Sequence, residues 1–158
     1  MPGIEDLIKQ KKFKNDYQKG MISLLYVVNQ INDHQAEFFK PHKLSKQQYN
    51  VLRILIGQFP HACNINTIKK RMLDKNSDVS RIVNRLCKTN LITVTICKKD
   101  RRAVDIIINN NGIKVLNTID EDIEKIEKPL MALDDKEINH LNGLLEKIII
   151  KLNKKNKV

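Results

Sequence analysis

The chain has 158 residues, 41% of them hydrophobic, a formal net charge of +11 and a pI near 9.6. That length predicts one domain with one core. Three cysteines, Cys63, Cys87 and Cys97, are too few and too scattered for a disulfide framework, and none stands in a CxxC or Cys/His zinc spacing.

No apolar run approaches 18 residues, so no transmembrane span is expected. The polar start "MPGIEDLIKQKKFKND" carries no signal-peptide pattern. A reducing cytoplasm is the expected compartment. The positive charge predicts a polyanionic partner. It is concentrated: Lys69 to Arg102 holds 11 basic and 3 acidic residues, net +8, whereas Asp120 to Glu137 holds 3 basic and 8 acidic, net −5. With no Trp and 4% aromatics, stacking of single-stranded bases is disfavoured.

In chain order, a first helix is expected from about Asp6 to Phe39. Leu24, Leu25, Val28, Ile31, Gln35 and Phe38 recur at three- and four-residue steps, and Pro41 ends the run. In "LSKQQYNVLRILIGQ", Ser45 and Gln48 form a capping-box pair, and Tyr49, Leu52, Leu55 and Ile56 share a face. Asn64 can cap a short helix with Ile65, Ile68 and Met72 on its stripe. After the polar "DKNSD", Asn76 or Ser77 can cap a second short helix lined by Val79, Ile82, Val83 and Leu86, which Thr89-Asn90 ends.

The period then changes to two. Ile92, Val94 and Ile96, then Val104, Ile106 and Ile108, read as two strands around a loop at residues 98–102. Asn109 or Asn110 can cap a helix carrying Ile113, Leu116, Ile119, Ile123 and Ile126, ending near Pro129 or Leu133. A last helix begins near Asp134-Asp135, carries Ile138, Leu141, Leu144, Leu145, Ile148 and Leu152, and ends in lysines. A helix pair with a tight turn followed by a hairpin is a winged helix-turn-helix, which seats its second helix in the major groove and its hairpin against the minor groove or backbone. The expected class is mainly α, with a two-stranded β-wing and long flanking helices.

The stretch "DKNSDVSRIVNRLCKTNLITVTICKKDRRAVDIIINNNG", Asp74 to Gly112, resembles the signature of the multiple antibiotic resistance regulator (MarR) family. There a "DK-small-x-VSRLVDRL" helix leads through "GLV" to a "DRRxxxxxLTxxG" wing. "LSKQQYNVL" sits at the matching second-helix position, and the flanking helices agree in number and order. Two departures are Asn90 in place of the usual Gly, and Asn109, followed by Asn110, where Ile108-Asn109 stands for Leu-Thr.

The resemblance implies one MarR-like unit over 1–158, with dimerisation helices at 1–40 and 110–158 and a DNA-binding lobe at 44–109. It implies a homodimeric repressor on a pseudo-palindromic operator, released by a small aromatic or anionic ligand or by cysteine oxidation. The family often holds such ligands where His34, Phe38, Phe39, Tyr49 and Phe59 are expected to lie; ordinary core aromatics are the alternative. Cys63, just ahead of a helix N-terminus, is the cysteine whose pKa could be lowered.

At the wing, Arg101 or Arg102 is expected in a narrow minor groove, with Arg101 the first choice. Lys98 and Lys99 would meet phosphates, and Asp100 would pair with Arg102 to shape the loop. On the second helix of the pair, Ser77, Asp78, Ser80, Arg81 and Asn84 are the outward candidates. Arg81 suits guanine and Asn84 adenine, while Asp78 either accepts from cytosine or caps the helix. Arg85, Lys88, Lys69, Lys70 and Arg71 would touch backbone.

The rival readings are an architectural winged-helix protein without effector, and a protein-binding module that leaves its DNA face unused. No nucleophile–base spacing or phosphate-binding Gly loop suggests an enzyme, and nothing calls for a cofactor or metal.

Overall fold

A computed structural model describes residues 3–97 and 103–155. They form α1 (Ile4–Leu7), α2 (Asp16–Phe39), α3 (Lys46–Ile56), α4 (Ile65–Arg71), α5 (Val79–Lys88), β1 (Ile92–Ile96), β2 (Val104–Ile108), α6 (Asn110–Asp120), α7 (Glu124–Glu127) and α8 (Asp135–Lys155). The protein is mainly α with one two-stranded antiparallel sheet, as expected.

Two compact units divide the chain, one up to Asp122 and one from Ile123. In the first, the expected long opening helix is interrupted. α1 is a single turn, and α2 begins only at Asp16, where Asn15 Oδ1 accepts from the Gln18 amide (2.9 Å). Lys19 ties the two pieces together through its Nζ on Glu5 Oε1 (2.6 Å). At α3 the capping box forms in both directions: Gln48 N donates to Ser45 Oγ and Ser45 N to Gln48 Oε1. Asn64 caps α4 through the Thr67 amide (2.8 Å).

The core runs through this unit. Phe39 from α2, Val51, Leu52 and Leu55 from α3, Ile68 and Met72 at α4, Val83 and Leu86 from α5, Ile92, Ile106 and Ile108 from the sheet, and Leu116 and Ile119 from α6 are all buried. The hairpin pairs Ile92 with Ile108 and Ile96 with Val104. Burial fades along it, from 2% exposure at Ile92 to 69% at Ile96, so its base belongs to the core and its far end projects. Cys63 adds a third edge: its N–H donates to Ile106 O and Ile106 N–H to Cys63 O, both at 2.8 Å.

In the second unit, Asp134 and Glu137 form a reciprocal box at the start of α8. Asp134 Oδ1 accepts from Glu137 N and Glu137 Oε2 from Asp134 N, both at 2.9 Å. α6 does not reach Pro129. It closes at Asp120 because the following backbone tightens into three-residue bonds, Asp122 N to Ile119 O (3.0 Å) and Ile126 N to Ile123 O (2.9 Å). No described residue from Ile123 onward is buried, and α8 exposes Leu144, Ile148, Ile149, Ile150 and Leu152.

Candidate nucleic-acid interface

α5 is built to show two different sides. Val79, Val83 and Leu86 point into the core, while Asp78, Ser80, Arg81, Asn84, Arg85 and Lys88 are exposed and line one shallow surface trough. The three- and four-residue steps among these six place them on a common face.

The start of α5 corrects the sequence reading. The cap is neither Asn76 nor Ser77 but Asp78, whose Oδ1 accepts from Arg81 N (3.0 Å). The residues before it are used in the turn: Asn76 N donates to Asp74 Oδ1 (3.0 Å) and Ser77 N to Asp74 O (3.3 Å). Ser77 is also not an outward residue. Its hydroxyl is buried and without a hydrogen-bond partner among the described residues.

Asp78 therefore has the structural role as its first duty, and its charge suits the positive end of the helix dipole. Asp78→Ala should lower stability by ~0.5–2 kcal/mol, read as a thermal midpoint lower by ~2–4 °C per kcal/mol for a chain of this size. Asp78→Ser should restore most of it. An unchanged midpoint in Asp78→Ala would show that the cap is not what the carboxylate contributes.

Two supports of the helix pair were missed in the sequence. Asn50 Oδ1, on α3, accepts from Leu73 N (3.0 Å) and holds the turn between α4 and α5. Lys75 Nζ donates to Lys70 O (2.7 Å), capping the carbonyl end of α4; a lysine shortly after a helix end is the signal that could have found it. Lys69, Lys70 and Arg71 are exposed on α4.

α5 ends in a Schellman arrangement. Leu91 N donates to Leu86 O (3.0 Å) and Asn90 N to Cys87 O (2.9 Å), with Asn90 in the left-handed region at φ 56°. Asn thus performs the turn that the family pattern gives to Gly. At the far end of the sheet, Cys97 N donates to Ala103 O (3.1 Å). The wing residues Lys98, Lys99, Asp100, Arg101 and Arg102 lie outside the described residues.

The ligand candidates are only partly brought together. Phe38 meets Phe39 edge-on (5.1 Å between ring centroids) and His42 (5.6 Å), and Phe39 lies 4.7 Å from Tyr49. His34 is half-buried on α2, one turn before Phe38. Phe59 is 49% exposed beyond α3 and makes no ring contact among the described residues. Arg53 stands 6.0 Å over the Tyr49 ring and binds both Asp120 oxygens (3.0 and 2.9 Å), joining α3 to α6. Burial pushes the Tyr49 phenol above its usual range.

Cys63 is corrected as well. It is buried, and burial raises its thiol pKa, with Arg71 opposing only in part, so the thiolate is disfavoured. Cys87 is exposed and Cys97 half-buried. Among the described residues, no group of His, Cys, Asp or Glu could hold a metal ion, and no helix is long and apolar enough to cross a membrane.

A family model described as MarR family matches residues 42–103, from the loop before α3 to the residue before β2. The HTH-type transcriptional regulator PecS of Dickeya dadantii (strain 3937) is 25% identical over 112 residues, 70% of this chain and 68% of PecS. Among solved structures, AbsC, a MarR family transcriptional regulator from Streptomyces coelicolor, superposes with a TM-score of 0.78 at 16% identity, covering 91% of this chain and 99% of AbsC. The MepR–DNA complex of S. aureus gives 0.71 at 20% identity, covering 89% and 99%. Those two likenesses speak for the fold, and the family model and PecS for the lineage. With the helix pair, its turn and the hairpin in their expected order, residues 42–103 form a winged helix-turn-helix that matches the MarR family.

Proposed function

We propose that the protein is a homodimer that binds a pseudo-palindromic operator in double-stranded DNA and represses transcription until a small aromatic or anionic effector releases it. The observation that carries the reading is the exposed face of α5, where Ser80, Arg81, Asn84, Arg85 and Lys88 stand together opposite a buried apolar stripe. Such a face satisfies nothing inside the lobe. It offers a guanidinium for guanine, an amide for adenine, and cations for phosphate. Lys69, Lys70 and Arg71 on α4 extend the positive surface. The wing residues Arg101 and Arg102 are assigned to the minor groove on their sequence position.

In this reading the segments 1–40 and 110–158 pair two copies, and 44–109 is the lobe that docks. Exposed Met21, Leu24, Leu25 and Val28 on α2, and Leu144, Ile148 and Leu152 on α8, supply the apolar surface for pairing. Two lobes on one body turn the second docking into an intramolecular event. The region of His34, Phe38, Phe39, Tyr49 and Phe59, in which Phe38, Phe39 and Tyr49 make successive ring contacts, is the place assigned to an effector, and the likeness to the MarR family is what supports that assignment.

The test is selection of bound fragments from genomic DNA at physiological salt. A two-fold motif with half-sites about one helical turn apart (~34–36 Å) is expected. Operator affinity should exceed non-specific affinity by ~10³ or more. It should fall ~10³–10⁵-fold between 50 and 200 mM salt if ~6–10 phosphates are engaged. A ratio near one would favour the architectural reading, and salt-independent behaviour the protein-binding one. Arg81→Ala should relax preference at one base per half-site, at a cost of ~1–3 kcal/mol. Wild-type discrimination in that variant would remove Arg81 from the readout.

A further inference from the structure

The two departures from the family pattern, Asn90 and Asn109, meet in space. Asn90 is the left-handed residue just past the end of α5, and Asn109 caps α6. Asn109 uses both ends of its amide. Its Oδ1 accepts from Asn111 N (3.0 Å) and Gly112 N (3.1 Å), which is the cap. Its Nδ2 donates to Asn90 O (3.1 Å) and lies 3.3 Å from Asn90 Oδ1. Asn111 Nδ2 reaches the same Asn90 carbonyl at 3.3 Å, and Asn109 N donates to Leu91 O at 3.3 Å.

We infer that Asn109 is a positioning residue for DNA recognition: it clamps the carbonyl end of α5 to the amide end of α6, and so fixes how the recognition helix stands on the rest of its lobe. The inference rests on the DNA-binding reading of α5. The chemistry explains why an amide is needed. A Thr or Ser at position 109 supplies the capping oxygen but is too short, and has too few donors, to serve the carbonyl across the junction as well. An Asp supplies the cap and no donor. Only a side chain with an acceptor and a donor at the same reach does both.

The junction is also where leverage is greatest. α5 is a ten-residue helix whose other end is held by the Asp78 cap and by the turn bound to Asn50. Its carbonyl end has the Schellman turn and this clamp. Base-edge contacts need a helix held to well under an ångström, whereas phosphate contacts through long lysines tolerate more. Loosening the clamp should therefore erode discrimination before it erodes overall attraction to DNA.

The experiment compares wild type with Asn109→Asp, which keeps the α6 cap and removes the donor. Asn90→Gly, which keeps the carbonyl acceptor and the left-handed turn, serves as the conservative control. Two readouts are taken: amide hydrogen exchange in the free protein, and the ratio of operator to random-duplex affinity. In Asn109→Asp, exchange at Asn90 and Leu91 should rise ~10-fold while Gly112 stays protected. The affinity ratio should fall ~10-fold, the scale of one mis-seated base pair, with the salt slope unchanged because no phosphate contact is touched. Asn90→Gly should behave as wild type on both. Unchanged exchange in Asn109→Asp would show that no clamp exists. Raised exchange with a wild-type ratio would show that the clamp does not position the helix. A wild-type protein that fails to prefer any operator overturns the functional reading instead, and does so before any variant is made.

Discussion

Replacing Leu144 and Ile148 together by aspartate is expected to convert the proposed dimer to single chains and to remove most of the proposed operator affinity. The two residues are 42% and 48% exposed, one turn apart on α8. They continue a stripe of Leu141, Leu145 and Leu152 at three- and four-residue steps. An amphipathic helix with so broad an apolar face, and no buried residue among the described ones of its unit, has surface left over for a partner. In a two-fold interface each residue meets a symmetry-related patch, so two substitutions per chain bring four carboxylates together in a desolvated seam.

Light scattering should report the mass of one 18.4 kDa chain for the variant and twice that for wild type. Operator affinity should fall by ~10²–10⁴, the range that linking two binding modules contributes. Non-specific binding to long duplex should fall far less, since each lobe keeps its own cations. The lobe itself should stay folded, because every buried core residue among the described ones lies at or before Ile119. A variant that keeps twice the chain mass and full affinity would place the pairing surface elsewhere.

Much of the fold was legible because helix and strand write different periods. Ser45 and Asn64 were readable as caps, and Asn109 as one of two choices with Asn110, for a local reason: a side-chain oxygen three residues before a free amide needs no long-range information. Local competition is where the reading slipped. Asn76, Ser77 and Asp78 are all competent caps, and the choice fell to Asp78 because Asp74 had already drawn Asn76 and Ser77 into a turn. Similarly, Ile119, Ile123 and Ile126 keep a helical step through a backbone that has in fact tightened, since side-chain spacing alone does not distinguish a four-residue bond from a three-residue one.

Cys63 failed for a different reason. Its pairing with Ile106 joins residues 43 positions apart, and burial at that edge outweighs any effect of the seven-residue helix after it. The polar face of α5 was legible by elimination, since whatever is not on the apolar stripe must face outward. Asn90 was legible as the residue that ends the helix; the support from Asn50 and the bridge from Asn109 to Asn90 were not, because each depends on where another segment of the chain arrives.

Gly112→Ala is expected to destabilise the protein, although helix propensity alone predicts the opposite. The residue lies in the first turn of α6 with no left-handed backbone, where alanine is favoured by ~1 kcal/mol over glycine. A β-carbon there would come within 2.3 Å of Leu91 O, 2.7 Å of Ile108 Cγ1 and 3.2 Å of Ile108 Cδ1. Ile108 is in the buried sheet base and has little room to yield. Leu91 O is backbone, and it accepts from Asn109 N at the junction of α5 and α6. Forcing a methyl into such a site costs ~1–3 kcal/mol and at times more. An approach this close to backbone belongs at the upper end, so the net loss should be about 2 kcal/mol after the propensity gain, or ~4–8 °C in thermal midpoint. Gly20→Ala and Gly143→Ala are the internal comparison, because an added β-carbon meets nothing within 4 Å at either position. Both should raise the midpoint slightly. If all three substitutions move it in the same direction, glycine at 112 is not there to let α6 close against Leu91, and the close packing of wing base and helix start is not what holds this junction.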